Sequence, residues 1–523
     1  MKKLVLFFLC FIFYYTIYSQ SKPAFDVLSY HLNIRINDTT NRIQVVEDIE
    51  VIYQQKESYF RLNLADNQDN RGMTVSKVTI NGQEVGFQHG DNQLILFTPA
   101  FLLGDTNWVQ IRYSGIPKNG LIISENKFKS RTFFGDNWPN RAQHWMACVD
   151  HPSDKAKIQF DIKAPQHYTI IANGKKIYEQ VDEQGIKMTS YQSDLLLPTK
   201  VMVFGAADFK VDTYTNDHGV EVSSWVYPQN EEAGFYDLRL AGPILDFYIQ
   251  LFGAYPFEKL ANVQSTTMFG GMENASCIFY DENAIDGKRS MEGLIAHEIV
   301  HQWFGNCASE KDWSDLWLSE GFATFFTSYY FEKKVGQEAN QPRWIKDRNL
   351  VLSYVEKTKL PLKDTVTTKL MELLNANSYQ KGAWVLHMLR HQLGDSIFME
   401  GVLDYFNTFR FGNANTADFF HIMQTHTNQG LATFQHQWLR VGENPKLKCK
   451  SIIAGKSLKI NVDQLTNYIF ELPLEIMVHY EDGTKELKYV PIHTKSTQIK
   501  WTCDKKIKAV VWDPQVVLLA EMN

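Results

Sequence analysis

Residues 291–304 read MEGLIAHEIVHQWF, and this stretch decides how the rest of the chain is read. On a helix, positions i and i+4 lie one turn apart on one face. His297 and His301 can therefore aim two imidazoles at one cation, with Glu298 beside it, placed to act on a water. Leu294, Ile295, Val300, Trp303 and Phe304 supply the apolar side that buries such a helix. Glu320 follows 19 residues after His301, within a second helical pattern, DLWLSEGF (315–322). Two histidines and a glutamate are one of the ligand sets of hydrolytic zinc, which keeps a fourth position open for water. A zinc ion held by His297, His301 and Glu320, with Glu298 as general base, is the expectation. That chemistry is metal-assisted hydrolysis. The spacing alone does not distinguish cleavage inside a chain from cleavage at its end.

Outward from this centre the pattern changes twice. Upstream, YHLNIRI (30–36) and VVEDIEVIY (45–53) alternate apolar and polar residues, as half-buried strands do. Further strands are expected at 93–97, 108–113, 157–163 and 200–204, and Asn81-Gly82 marks a hairpin turn. Strands at such short spacing predict a large β-sandwich or saddle-shaped sheet. From residue 232 the period becomes helical, with helices expected over 232–252, 290–304, 315–335, 342–358, 378–394, 396–409, 416–427 and 431–440. Thr416 is expected to cap one of them. After GENP (442–445) strand patterns return, around an Asp482-Gly483 turn, and predict a small C-terminal β-sandwich.

Composition limits the function. The chain has 523 residues and a net charge of −6, with 53 Lys+Arg against 59 Asp+Glu and no basic block, so nucleic acid is not an expected partner. Lys2 and Lys3 precede an apolar run from Leu4 to Tyr15, and Ser19 suits a cleavage site. This reads as a signal peptide over 1–19, hence export to the periplasm or beyond. No later stretch is long and apolar enough for stable membrane insertion. Five cysteines lie outside the leader, and Cys449 and Cys503 could pair after export.

Three motifs in order carry a resemblance. GGMEN (270–274), HEIVHQWFGN (297–306) and DWSDLWLSEGFATFF (312–326) are similar to those of the gluzincin aminopeptidases, the family of aminopeptidase N and leukotriene hydrolase. The resemblance implies a multidomain α+β fold: an N-terminal β-saddle over 20–210, a mainly helical thermolysin-like catalytic domain over 211–445, and a β-sandwich over 446–523. It implies peptide substrates with a free N-terminus. Glu273 would receive the α-amino group, Met272 would line the first side-chain pocket, and Gly270, Gly271 and Asn274 would complete the substrate-binding strand. The segment SYQKGAWVL (378–386) resembles the family's YxKGAxV, which makes Tyr379 the expected oxyanion donor. Counting back from CVDHP (148–152) places Asp136 where relatives carry a glutamine or glutamate that supports the amine. Asp315 is a candidate for orienting a zinc histidine. Trp138 and Trp145 read as packing residues. Lipid-epoxide hydrolysis, thermolysin-like endoproteolysis and a non-catalytic peptide-binding scaffold are the alternatives. Larger members carry a further helical domain after the sandwich; a chain ending at Asn523 is expected to have a more open cleft.

Overall fold

The computed structural model describes residues 24–98 and 101–523. The expected leader, residues 1–19, lies outside the described residues. The chain is α+β and multidomain, β-rich first, helical in the middle and β-rich again at the end. Its first part centres on an eight-stranded sheet in which Phe25–Arg35 pairs in parallel with Lys155–Pro165 and antiparallel with Ile43–Tyr53. The alternation in Ile43–Tyr53 works as expected: Ile43, Val45, Ile49 and Val51 all face the core. Glu47 faces the same way and accepts bonds from the Tyr113 hydroxyl (2.6 Å) and the Ala147 N–H (2.9 Å). Asn81 and Gly82 both adopt positive φ (49° and 79°), the turn that joins Gly72–Ile80 to Gln83–Glu84. Residues 200–204, expected as a strand, are not one. Thr199–Val201 forms a 3₁₀ turn, and a short strand begins only at Phe204.

The central part begins with a five-stranded sheet. Its strands are β1 (Lys210–Thr215), β2 (Glu221–Val226), β3 (Leu260–Ser265), β4 (Gly271–Met272) and β5 (Cys277–Asp281), in the order β1-β2-β3-β5-β4. Four helices build the centre: α1 (Glu292–His301), α2 (Trp317–Val335), α3 (Gln337–Thr358) and α4 (Gly382–Leu393). The helix expected over 232–252 is two, Glu231–Leu238 and Ala241–Phe252. The buried Asp237 carboxylate near the break accepts the N–H groups of Asp286, Gly287 and Arg289, which ties this end to the following loop. Thr416 is not the cap expected of it. Asn415 is, in a reciprocal capping box with Asp418, while the Thr416 hydroxyl bonds Asp315. Two small sheets of four and three strands follow. Cys449 and Cys503 are unpaired, as are Cys148, Cys277 and Cys307. No helix among the described residues is long and apolar enough to cross a membrane.

The N-terminal part holds the central part through buried polar groups. Lys200, 1% exposed, pairs with Glu310, itself fully buried. The Lys155 ammonium donates to the carbonyls of Asn306 (3.1 Å) and Cys307 (2.8 Å). The Asn173 amide donates to the Ala275 carbonyl (2.6 Å), and the Ser276 hydroxyl accepts the Gly174 N–H (2.9 Å). These contacts grip both segments that flank α1. Removing one partner of a buried pair leaves an uncompensated charge. Lys200→Met is therefore expected to lower stability by roughly 3–5 kcal/mol. Adding Glu310→Leu should recover part of that loss, both read from urea midpoints.

Candidate metal and substrate site

The helices α1 and α2 bring three donor atoms together. His301 Nε2 lies 3.1 Å from His297 Nε2, and each lies 3.3 Å from Glu320 Oε2. Zinc bonds of about 2.0–2.2 Å in tetrahedral geometry need ligand atoms roughly 3.3–3.6 Å apart, so the two histidines and the glutamate fit such an ion. Their chemistry fits as well, with two imidazole nitrogens and one carboxylate. The second nitrogen of His301, Nδ1, faces the Phe304 carbonyl (3.1 Å), which can only accept. In the neutral, ligating form of the ring Nδ1 therefore carries the proton and Nε2 the lone pair. The Ser319 hydroxyl, 3.1 Å from the same Nδ1, steadies the ring further. Burial disfavours the His301 imidazolium, but Glu320 together with Glu273 and Glu298 outweighs it and pushes that group up to about 9. Burial likewise opposes the Glu320 carboxylate, and His301 and His297 more than compensate, holding its carboxyl far below the usual range.

Close backbone packing sets where these groups stand. A Cβ on Gly321 would come within 2.9 Å of the Gly382 backbone, so α2 and α4 touch at a pair of glycines. Glu320 sits beside this contact on one helix. On the other, a π-helical turn over Asn377–Lys381 leads into α4 and carries Tyr379. The Tyr379 ring lies nearly parallel to His297, with centroids 6.0 Å apart. Burial first, then the Glu320, Glu273 and Glu298 carboxylates, keep its hydroxyl protonated and thus a donor.

The strand β4 lies along α1. A Cβ on Gly271 would meet Glu298 Oε1 at 2.4 Å, which is why this position has no side chain. The general-base candidate occupies the space beside it. The Glu273 carbonyl accepts from Gln302 (2.9 Å) and Asn306 (2.6 Å), fixing the backbone and aiming the carboxylate. Carboxylate oxygens of Glu273 and Glu298 and a ring nitrogen of His301 lie within 4.8 Å of one another. Glu273 is 4% exposed, and its Oε1 has no hydrogen-bond partner among the described residues. Burial raises the carboxyls of Glu273 and Glu298, each opposed by His301.

A cavity of about 490 Å³ joins these groups. Gly270, Gly271, Met272, Glu273, His297, Glu298, His301, Glu320 and Tyr379 all line it. Two expected residues do not. Asn274 is fully buried away from the lining. Asp136 is also fully buried, and both its oxygens are engaged, one by Arg141 and the other by the Met268 N–H (3.2 Å). It is not free to meet an amine, so the reading of Asp136 as an amine support is corrected to a structural ion pair. The residue of that segment which reaches the cavity is Trp138, seated edge-on against Trp313 and Phe269. Asp315 orients no histidine; it accepts from Lys363 and Thr416. Ser319 has that place. The sequence held a signal for it only in hindsight, as the residue just before Glu320 on the same helix.

Comparison with known proteins agrees with this geometry. The chain matches the Peptidase M1 N-terminal domain over residues 27–201 and the Peptidase family M1 domain over residues 236–438. It is 25% identical to "Probable aminopeptidase 2" of Sulfurisphaera tokodaii, over 84% of this chain and 58% of that protein. It is 28% identical to aminopeptidase N of Mus musculus, over 56% of this chain and 32% of that one. The chain thus spans about a third to three-fifths of the length of the curated relatives it matches. The crystal structure of Legionella pneumophila aminopeptidase A in complex with aspartic acid superposes with a TM-score of 0.84, over 97% of this chain and 60% of that one, at 16% identity, a likeness of fold. With the two domains of one family matched in their order and the motif residues gathered in one cleft, the chain belongs to peptidase family M1.

Proposed function

We propose that the protein is an exported zinc aminopeptidase that removes the N-terminal residue from peptides. The observation that carries this reading is Glu273. A carboxylate buried beside the ligand cluster, with an oxygen that no described residue pairs, calls for a cationic partner. A substrate's free α-ammonium is one, and its place within 4.8 Å of Glu298 allows about one residue before the scissile bond. His297, His301 and Glu320 would hold Zn²⁺, which when bound supplies Lewis acidity to the scissile carbonyl and acidifies water. Glu298 takes the proton from the attacking water and hands it to the leaving amine. Tyr379 donates a hydrogen bond to the oxygen on which negative charge develops. Gly270 and Gly271 admit the peptide backbone beside Glu298. The lysine pair and apolar run at the N-terminus support export, and a secreted product beginning at Gln20 is the expected result of N-terminal sequencing.

Activity on amino-acid arylamides should vanish with a chelator, return with zinc and fail on N-acetylated substrates. Equal cleavage of free and blocked substrates would rule out the exopeptidase reading. Glu298→Gln should keep stoichiometric zinc yet lose on the order of 10²–10⁴-fold in kcat. Gly271→Ala should displace the Glu298 carboxylate and cost on the order of 10²-fold in kcat while the far-UV spectrum and zinc content stay as in the wild type.

A further inference from the structure

The packing of β4 on α1 gives the cleft a direction. Glu273 is tied to Gln302, Gly271 abuts Glu298, and Gly270 faces Leu294, with 3.8 Å to a Cβ built there. Residues 302, 298 and 294 are successive turns of α1 and its end, about 6 Å apart. A peptide whose amine sits at Glu273 and whose scissile bond sits at Glu298 therefore runs on past Leu294. Beyond that point, Phe331 packs on Gly293, with 3.5 Å to a Cβ built there, and the Arg343 guanidinium lies over the Phe331 ring at 4.2 Å.

Arg343 lines the same cavity as the metal ligands. It is half-buried, and it makes no hydrogen bond or ion pair with any described residue. The stack on Phe331 fixes the plane of the guanidinium and leaves its N–H groups to serve a ligand. Thr324, one turn past Glu320 on α2, lines the cavity too, and its buried hydroxyl has no partner among the described residues. Asp347, one turn along α3 from Arg343, also faces this end without forming an ion pair. Burial pushes its carboxyl up to about 6, against the pull of the Arg343 charge, and an anion arriving beside it would favour the protonated form further.

We propose that Arg343, assisted by the Thr324 hydroxyl, binds a carboxylate carried by the substrate on the leaving side of the scissile bond. Leu294 stands about 6 Å beyond Glu298 along α1, and two extended residues span about 7 Å, so we place the group recognised one or two residues past the cut. It is either the C-terminal carboxylate of a short peptide or an acidic side chain. The enzyme is thereby directed towards di- and tripeptides or acidic sequences. This rests on the aminopeptidase reading, because the amine at Glu273 sets the direction of the chain.

The test compares kcat/KM for matched tripeptides in the zinc enzyme. Leucyl-glycyl-glycine against its C-terminal amide reads the terminal carboxylate, and leucyl-glutamyl-glycine amide against the glutaminyl counterpart reads the side chain. A preference of about tenfold or more for the carboxylate form is expected in at least one pair, as charge-assisted hydrogen bonds give. It should be expressed mainly in KM. Arg343→Gln should bring the ratio close to one, Arg343→Lys should restore part of it, and Asp347→Asn should raise it. Calorimetric titration of the same pairs into Glu298→Gln, with and without Arg343→Gln, gives the same comparison without turnover. A ratio near one in both pairs in the wild type, or a ratio that survives Arg343→Gln, overturns the proposal. Equal turnover of N-acetylated peptides would instead overturn the aminopeptidase reading, and the ratios would still be measurable.

Discussion

Two imidazole nitrogens and a carboxylate oxygen stand 3.1–3.3 Å apart in the middle of the chain, and the surrounding architecture serves to keep them there. Left to themselves, buried polar groups collapse onto neighbours or draw in water. Here two of the three are held from behind. His301 is fixed through Nδ1 by the Phe304 carbonyl and the Ser319 hydroxyl. Glu320 is fixed by the glycine contact between α2 and α4, which also brings Tyr379 over His297. The convergence that a metal needs is paid for by helix packing rather than by flexible side chains.

The same constraint explains why the N-terminal sheet domain is more than an attachment. Lys155, Lys200 and Asn173 reach across it to the segments around 275 and 306–310. Those segments carry Glu273 at one end and close α1 at the other. Asn306, whose carbonyl is held by Lys155, in turn bonds the Glu273 backbone through its side chain. The amine-anchor candidate is thus placed by a chain of buried polar contacts that begins in another domain. These groups are buried, and in that low-dielectric setting each hydrogen bond between them is stronger than it would be in water.

The elements that were legible in the sequence were those with a local signature. The alternation in Ile43–Tyr53, the Asn81-Gly82 turn, the helical repeat in 317–335 and the one-turn spacing of His297 and His301 are all written in consecutive residues. Where two local codes competed, reading failed. Thr416 and Asn415 are both good caps, and the partner at Asp418 decided for Asn415. Residues 200–204 look like a strand, yet burying Lys200 against Glu310 goes with a turn at 199–201. The pattern over 232–252 continues through Arg239, but Asp237 is drawn into the core by three distant amides.

The motif residues gave candidates for a metal-ligand set, a base, an amine anchor and an oxyanion donor, because each role demands a particular side chain at a particular spacing along one chain segment. The tertiary structure alone decided which carboxylates are free. Asp136 and Asp315 have the same chemistry as the candidate functional acids, and each is consumed by a partner remote from the candidate ligand cluster, Arg141 for one and Lys363 with Thr416 for the other. It likewise decided that Ser319 stands behind His301 and that Thr324 and Arg343 face the cleft. Availability depends on who stands opposite, and in a fold that neighbour comes from contacts tens or hundreds of residues apart, which spacing along the chain does not record.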